Sequence, residues 1–384
     1  MAIAAWAAWA ALSAGAAQAA VDDGEKPVTL AVFSNMGSFK ASGAEADGTQ
    51  NIGYLQLIYS PGDWGAGVTS SLAATDYVSP ISPERLKRSG MTDTSIVTFY
   101  NMRVGDVMTR FGVDLGLPTG KASQTSKELV RNIADDINQD LLLVNSYGAG
   151  LNVAGHLAVS YTSGGLTWGL GARYLVAGAY DPMSDMEKDK FDPGDSLLGI
   201  VSLLYEINPD TRILFSYSRT IQARDKQDGK DIFRNGDAGA LELRLMREWE
   251  EGLTAALTLS SRAQDKNERL YSQNVFKTET GNSNANSAEA AVEAAWKQSG
   301  KLTLTGAAGY KSVQANGYPE KDYLYDGGRT RWFAEPGARW SLARDITVSA
   351  KLRYAQISDN QDNFSPAGAT YKVTTIDLGL IMGF

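Results

Sequence analysis

Apolar and polar residues alternate with a period of two along most of this chain, and no other feature restricts its fold as much. Between residues 376 and 384 every even-numbered position is apolar, whereas the odd-numbered ones include Asp377 and two glycines. Residues 346–354 and 329–340 repeat the pattern. Since successive side chains of a β-strand point to opposite faces, this alternation predicts strands with one apolar and one polar face.

The connections between these segments alternate in length: short, tight turns alternate with eight longer polar loops. Short turns at one end, long loops at the other and an even strand number are typical of transmembrane barrels. We therefore predict an all-β fold, a single transmembrane antiparallel β-barrel over residues 20–384. It has about 16 strands, or 14 if one hairpin is lost, near residues 28–39, 50–60, 64–77, 94–103, 107–117, 148–162, 166–179, 195–207, 211–223, 235–249, 253–265, 285–297, 301–314, 327–341, 345–358 and 369–384.

Aromatic residues bracket several of the apolar faces, which favours a membrane barrel over a soluble β-sandwich. Trp332 and Trp340 flank one such face, and Trp168 and Tyr174 flank another. Strands that face lipid carry aromatic residues at the two membrane interfaces. The mean hydropathy of −0.24 agrees with this fold, because lipid-facing and water-facing residues average out.

The first 19 residues have the composition of an export signal. Residues 2–17 are mostly apolar, and the triplet Ala17-Gln18-Ala19 has the small residues that signal peptidase requires. No Lys or Arg precedes the apolar run, and a short membrane anchor is the alternative interpretation. We predict that residues 1–19 are a signal peptide.

Composition argues against several functional classes. The chain has no cysteine and one histidine, which excludes disulfides, cysteine-based zinc sites and histidine-rich metal centres. Its net charge of −8 argues against nucleic-acid binding. The sequence has no phosphate-binding or dinucleotide-binding motif. We therefore expect no cofactor, no bound metal and no enzymatic activity.

The exported leader, the amphipathic strands and the segment Gly379–Phe384 together resemble Gram-negative outer-membrane β-barrel proteins. The resemblance implies an outer-membrane location, contact with membrane lipids, and recognition of Phe384 by the barrel-assembly machinery. A narrower segment, Leu117-Pro118-Thr119-Gly120, is similar to a strand end in barrels described as transporters of the phenol meta-cleavage pathway. That similarity implies hydrophobic solutes. A turn that leaves a strand is the structural alternative.

The third long loop, residues 118–147, carries a helical pattern. Thr125 and Glu128 have the spacing of a capping box, and an apolar stripe follows with a period of four. The stripe consists of Leu129, Ile133, Ile137 and Leu141. In general porins, which this chain resembles, the third outer loop narrows the pore. The helix is therefore expected in the barrel as a constriction, or over its mouth, where it caps the barrel or meets a partner.

Strand parity places a set of charged residues on the lumen face. Charge on a pore wall biases ion entry, so these residues predict a transverse field or a mild anion preference. A salt-bridge lattice that only stabilises the wall is the alternative. The set comprises Arg262, Glu289, Glu293, Arg329, Arg331, Glu335, Arg339, Lys351 and Arg353.

The single histidine, His156, also falls on the lumen face of its strand. It is interpreted as a polar lining residue rather than a hydrolase base, because no nucleophile motif accompanies it. The sequence thus predicts passive transport of small solutes. The alternatives are a transporter of hydrophobic or aromatic compounds, and a scaffold barrel that houses an electron-transfer or secretion component. Whether copies of the chain form a homo-oligomer stays open.

Overall fold

The computed structural model describes residues 26–43, 45–79, 82–126, 138–144, 146–185, 190–271, 275–362 and 368–384. The predicted signal peptide therefore lies outside the described residues. So do Leu129, Ile133 and Ile137 of the predicted stripe. The structure is almost entirely β. Within the described residues, no helix is long and apolar enough to cross a membrane.

The described residues contain 22 strands and a short helix, α1 (Asn138–Leu141). In chain order the strands are β1 (Val28–Ser42), β2 (Asp47–Tyr59), β3 (Trp64–Ser79), β4 (Ser82–Met91), β5 (Thr94–Val104), β6 (Val107–Leu117), β7 (Asn152–Ser163), β8 (Leu166–Val176), β9 (Phe191–Asp192), β10 (Ser196–Asn208), β11 (Thr211–Gln222), β12 (Asp225–Gln227), β13 (Lys230–Arg234), β14 (Ala238–Trp249), β15 (Leu253–Gln264), β16 (Glu268–Tyr271), β17 (Val275–Thr278), β18 (Ser287–Lys297), β19 (Leu302–Val313), β20 (Arg329–Ala343), β21 (Ile346–Asp359) and β22 (Ala369–Gly383).

Sixteen of these strands close into an antiparallel barrel, so the predicted fold class and strand number are confirmed. Each barrel strand pairs with its neighbour in chain order, and β1 closes the ring by pairing with β22. The closing register runs from Thr29 opposite Gly383 to Ser42 opposite Thr370. Because the ring is complete, the barrel wall has no unpaired edge strand.

The two ends of the barrel differ as the sequence predicts. The end that holds Val28 and Phe384 has tight turns, and we call it the periplasmic end. Gly164 and Gly165, for example, join β7 to β8 with positive φ angles of 57° and 80°, the conformation of a two-residue hairpin turn. The long loops lie at the opposite end, which we call the outer end.

The outward face of the barrel is an apolar band between two rows of aromatic side chains. Trp168 and Trp340 lie near the periplasmic end, and Tyr174 and Trp332 lie toward the outer end; all four are about half exposed. Trp332 and Trp340 are eight positions apart on β20, which is about 27 Å along an extended strand. A tilted strand of that length matches a band roughly 25 Å tall.

Two outer segments that the sequence analysis treated as irregular contain regular structure. The predicted loop 78–93 holds β4, which pairs with the outer half of β3, while β5 pairs with the periplasmic half. β4 and β5 therefore form one descending strand, interrupted at Thr92 and Asp93. The loops near 180–194, 224–234 and 266–284 contribute a separate five-stranded sheet in the order β17-β16-β13-β12-β9.

Candidate functional site

The structure places the predicted charged residues on the lumen side of the wall. Along β20, Trp332 and Trp340 face outward, so the alternate positions face the lumen. Those positions carry Arg329, Arg331, Glu335 and Arg339. The registers of the neighbouring strands put the other members of the predicted set on the same side; these are Arg262, Glu289, Glu293, Lys351 and Arg353.

A carboxylate from the third long loop binds this wall from inside the barrel. Asp140 of α1 lies 2.5 Å from Nε of Arg329, and 3.3 Å from both Nζ of Lys311 and Nη1 of Arg331. The Asp140 side chain is only 6% exposed. Glu289 lies 3.6 Å from Nη2 of Arg331. A loop residue is thus held in the lumen by three cations from two adjacent strands.

The charge state of Asp140 follows from these neighbours. Burial raises the pKa of its carboxyl group, but Arg329, Lys311 and Arg331 outweigh that effect, so the pKa lies below its ordinary value. Asp140 is therefore ionised at neutral pH. An ionised buried carboxylate needs such partners, because burying an unpaired charge is costly.

The residues after Asp140 fill an apolar pocket in the same lumen. Leu142 is buried against four lumen-facing side chains from β1, β3, β21 and β22, and Leu141 packs beside it. The apolar contact and the ion pairs therefore act on consecutive residues of one segment. The four side chains are Phe39, Tyr77, Ile357 and Tyr371.

The last part of the inserted segment is held by hydrogen bonds to β2 and β3. The side-chain amide of Gln50 accepts a hydrogen bond from the backbone N–H of Val144 at 3.0 Å and donates one to its carbonyl oxygen at 2.9 Å. The same amide donates to Thr75 Oγ1 at 2.8 Å, and Thr75 lies 3.0 Å from the hydroxyl of Tyr147. The described residues 140–144 and 146–147 thus cross the lumen from β19 and β20 to β2 and β3.

The base of the loop is fixed at the break between β4 and β5. Asp93 accepts hydrogen bonds from the backbone N–H groups of Gly120 at 3.0 Å and Ala149 at 2.7 Å. Thr119 Oγ1 accepts from the N–H of Thr94 at 2.8 Å and donates to the carbonyl oxygen of Thr92 at 3.1 Å. The Leu117–Gly120 motif therefore has a structural role, since it bridges the interrupted strand.

A second charged cluster lies nearer the periplasmic end. Glu335, which is buried, binds Nζ of Lys351 at 3.0 Å and Nε of Arg353 at 2.7 Å. The Arg353 guanidinium also lies 4.6 Å from the centre of the Phe333 ring. Glu293 pairs with Arg244 at 2.6 Å on the wall beyond. Part of the predicted set is thus neutralised locally.

Four lumen arginines form no ion pair with any described carboxylate. Arg110 instead donates to Asn101 Oδ1 at 2.7 Å and covers the ring of Phe99 at 4.6 Å. Two of the others, Arg262 and Arg339, belong to the predicted set. The fourth is Arg103 on β5. Glu242 and Asp377 also face the lumen without an ion pair to a described cation, and they offset part of this positive charge.

The opposite wall carries His156, which faces the lumen as predicted from the strand parity. Its Nδ1 lies 3.3 Å from Asp114 Oδ1, and Arg173 Nε lies 3.0 Å from Asp114 Oδ2. Asp114 is buried between these two partners. No serine or threonine of the described chain is hydrogen-bonded to His156, so the arrangement is that of a wall ion-pair cluster.

Asp140, the residue that fixes the loop in the lumen, is not among the site residues predicted from the sequence. A usable signal was present, since Asp140 follows Ile137 by three positions and so falls on the apolar face of the predicted helix. A charge on an apolar stripe indicates a buried partner. Of the predicted helix, the structure describes only one helical residue, Ser126, and the separate short helix α1; residues 127–137 lie outside the described residues.

The class of the fold follows from the complete ring of sixteen strands and the apolar band between aromatic rows. The chain folds as a closed sixteen-stranded antiparallel β-barrel of the transmembrane type. No protein-family model matches it, and no curated protein matches its sequence.

Comparison with solved structures finds other barrels at low identity. The chain resembles the toluene transporter TodX of Pseudomonas putida at 13% identity, over 98% of this chain and 93% of that one, with a TM-score of 0.45. It resembles a bacterial polysaccharide outer-membrane secretin at 11% identity, over 94% and 99%, with a TM-score of 0.49. It resembles OccK7 of Pseudomonas aeruginosa at 9% identity, over 93% and 99%, with a TM-score of 0.42. These likenesses concern the fold.

Proposed function

We propose that the protein is a passive outer-membrane channel for small solutes, and that residues 138–144, which include α1, form its constriction. The observation that carries the proposal is the position of Asp140, which is buried in the lumen against Lys311, Arg329 and Arg331. Barrels of 16 to 18 strands leave an aqueous channel. A loop held across such a lumen narrows the path of a solute without any reactive residue.

We further propose that the channel favours anions. The carboxylates of Asp140 and Glu335 are each engaged by two or more cations, and they therefore contribute little negative potential to the path. Arg103, Arg110, Arg262 and Arg339 have no such carboxylate among the described residues. Unpaired charge on a pore wall biases ion entry toward the opposite sign. The alternative, a salt-bridge lattice that only stabilises the wall, does not account for these four arginines.

The constriction is tested by single-channel conductance of the refolded protein in planar bilayers. Asp140→Asn keeps the size of the side chain but removes the charge that Arg329 and its neighbours bind. Breaking one partner of a buried ion pair costs about 3–5 kcal/mol, so the segment leaves its seat and conductance rises. Glu293→Gln removes an ion pair with Arg244 that the loop does not use, and it serves as the matched control.

An Asp140→Asn channel with wild-type conductance would contradict a constriction by this segment. Deletion of residues 125–142 gives an independent second test, because it removes the predicted helix together with Asp140. Wild-type conductance after this deletion would contradict the constriction as well. If the folded wild-type barrel showed no conductance, the channel function itself would be contradicted. The alternative of a scaffold barrel predicts this result.

The other functions receive no separate support from the described residues. The hydrophobic-solute alternative depended on the Leu117–Gly120 motif, which bridges the break between β4 and β5. We propose no enzymatic role, because no described serine or threonine is hydrogen-bonded to His156 as a nucleophile would be. Liposome swelling with sugars and with aromatic compounds distinguishes the two transport alternatives.

A further inference from the structure

Two lysines lie directly opposite each other on the outward face of the barrel, near its outer end. Lys40 of β1 pairs in register with Lys372 of β22, and both side chains are exposed. Like charges in this arrangement destabilise a sheet. Neither lysine forms an ion pair with a described carboxylate, because Asp47, the residue opposite Lys40 on β2, binds Arg85 at 2.6 Å.

The lysines lie at the depth of lipid headgroups. The last apolar outward residues below them are Met36 on β1 and Ile376 on β22, each four positions away. On the neighbouring strand β21, Tyr354 pairs with Thr374 of β22. Thr374 is the next outward-facing residue below Lys372. Tyr354 contacts Trp332 with a ring separation of 5.4 Å. Since aromatic rows mark the membrane interface, the lysines stand just above it.

A polar groove opens beside the lysines on the same face. It has a volume of about 290 Å³ and lies between β2, β3 and β4. Directly below it, Leu72 and Met91 are 61% and 42% exposed and continue the apolar band. The outward residues that line the groove are Thr49, Asn51, Ala74, Asp76, Lys87 and Ser89.

This region is positive within an acidic protein. Arg85 binds both Asp76 at 2.8 Å and Asp47 at 2.6 Å, and Lys87 lies 3.3 Å from Asp76. Four cations thus face two carboxylates on these strands and Glu45 in the turn between β1 and β2, so the region stays positive, whereas the whole chain carries −8. The two strand carboxylates are engaged by Arg85 and Lys87, so the excess charge resides at Lys40 and Lys372.

We infer that this patch binds the phosphorylated headgroup of a lipid in the outer leaflet. A phosphate between Lys40 and Lys372 offsets their mutual repulsion, and basic clusters at a membrane surface bind anionic headgroups. The uncharged part of the headgroup occupies the groove, and its acyl chains lie against Leu72 and Met91. This inference depends on the barrel and its outward face, and it is independent of the proposed channel function.

The test measures lipid binding to the full chain in detergent by native mass spectrometry. The probe is bisphosphorylated lipid A, compared with the same lipid after removal of its phosphates. Each interfacial lysine contributes about a fivefold change in binding, so K40Q/K372Q is expected to bind the phosphorylated lipid about 30-fold more weakly. The control is K226Q/K230Q, which removes two exposed lysines of the β12–β13 hairpin above the barrel.

Three results would overturn the inference. The first is that K40Q/K372Q binds the phosphorylated lipid as tightly as the wild type does. The second is that the wild type binds the lipid without phosphates equally well. The third is that inorganic phosphate alone displaces the lipid completely. The last result would mean a site for free anions instead of a lipid. Resistance of the barrel to unfolding in SDS verifies that each variant is folded. Conductance of K40Q/K372Q should equal that of the wild type, because neither side chain faces the lumen.

Discussion

Gly120 lies so close to Tyr147 that a Cβ added to the glycine would stand 1.7 Å from the tyrosine carbonyl oxygen. The beginning and the end of the inserted loop therefore touch, beside the amides that Asp93 binds. We predict that Gly120→Ala separates them at a cost of about 1–3 kcal/mol, the usual effect of overpacking. The loop should become sensitive to protease at its base while the barrel stays folded in SDS.

The matched control for this variant is Gly53→Ala. Gly53 also lies in the barrel, but a Cβ added there would meet nothing within 4 Å. Its protease pattern should equal that of the wild type. If Gly120→Ala were cleaved no faster than Gly53→Ala, the contact with Tyr147 would have no role in seating the loop.

The lowered pKa of Asp140 predicts a specific pH dependence of conductance. Ion pairs of the charged carboxylate stabilise the seated loop fully above the ordinary aspartate pKa of about 4. That stabilisation is lost as the pH falls through the lowered pKa in the folded state. Conductance should therefore stay constant from about pH 7 to about pH 4 and rise below.

Asp140→Asn provides the reference for the pH series. This variant has no carboxyl group to protonate at position 140, whereas Arg329 and Lys311 stay charged throughout the range. Its conductance should already be high at neutral pH and should change little on acidification. An equal rise in both proteins below pH 4 would assign the transition to another group.

Arg262→Glu combined with Arg339→Glu tests the anion preference. Neither arginine has an ion pair with a described carboxylate, so the reversal changes the pore charge without breaking a bond between wall residues. The reversal potential in a salt gradient should shift toward cations, with the anion preference reduced several-fold. Lys226→Glu combined with Lys230→Glu makes the same charge change above the barrel and should leave selectivity near that of the wild type.

Phe384 is predicted to matter for assembly and not for the stability of the finished barrel. Its backbone N–H donates to the carbonyl oxygen of Val28 at 2.9 Å, and its ring is 59% exposed. Phe384→Ala keeps the backbone bond, so refolded protein should unfold like the wild type. In cells, the amount of folded barrel should fall several-fold. Leu378→Ala, which removes another outward side chain from β22, should assemble at a higher level than Phe384→Ala.

The barrel could be predicted from sequence because the alternation of apolar and polar residues is present within its individual strands. The outward leucines of β14 alternate without interruption with the lumen-facing Glu242 and Arg244. The sequence of such a strand is enough to indicate which side faces lipid and which faces the lumen. Even β5, whose pattern is blurred, is held in place by its register with β6. The sequence pattern fails where neither face meets lipid, because polar side chains are then acceptable on both sides.

β4 and the five-stranded outer sheet are the elements that the sequence pattern does not predict, for this reason. β4 contains Glu84, Arg85, Lys87 and Arg88, which place charge on both faces of the strand, so the segment reads as a polar loop. The strands of the outer sheet are two to five residues long, too short for a periodic signal. Asp140 was missed for a different reason, since its three partners lie about 170 to 190 positions later in the sequence.

The pairing of β1 with β22 has a consequence for how the protein is made. Residue 29 has one backbone partner nearby, residue 58 on β2, and the other at residue 383. One side of β1 therefore stays unpaired until β22 has been synthesised. Contacts of such long sequence separation form slowly and expose the chain to aggregation. The polypeptide must therefore be kept unfolded until it reaches the membrane. Once the seam closes, opening it again requires a row of hydrogen bonds to break together.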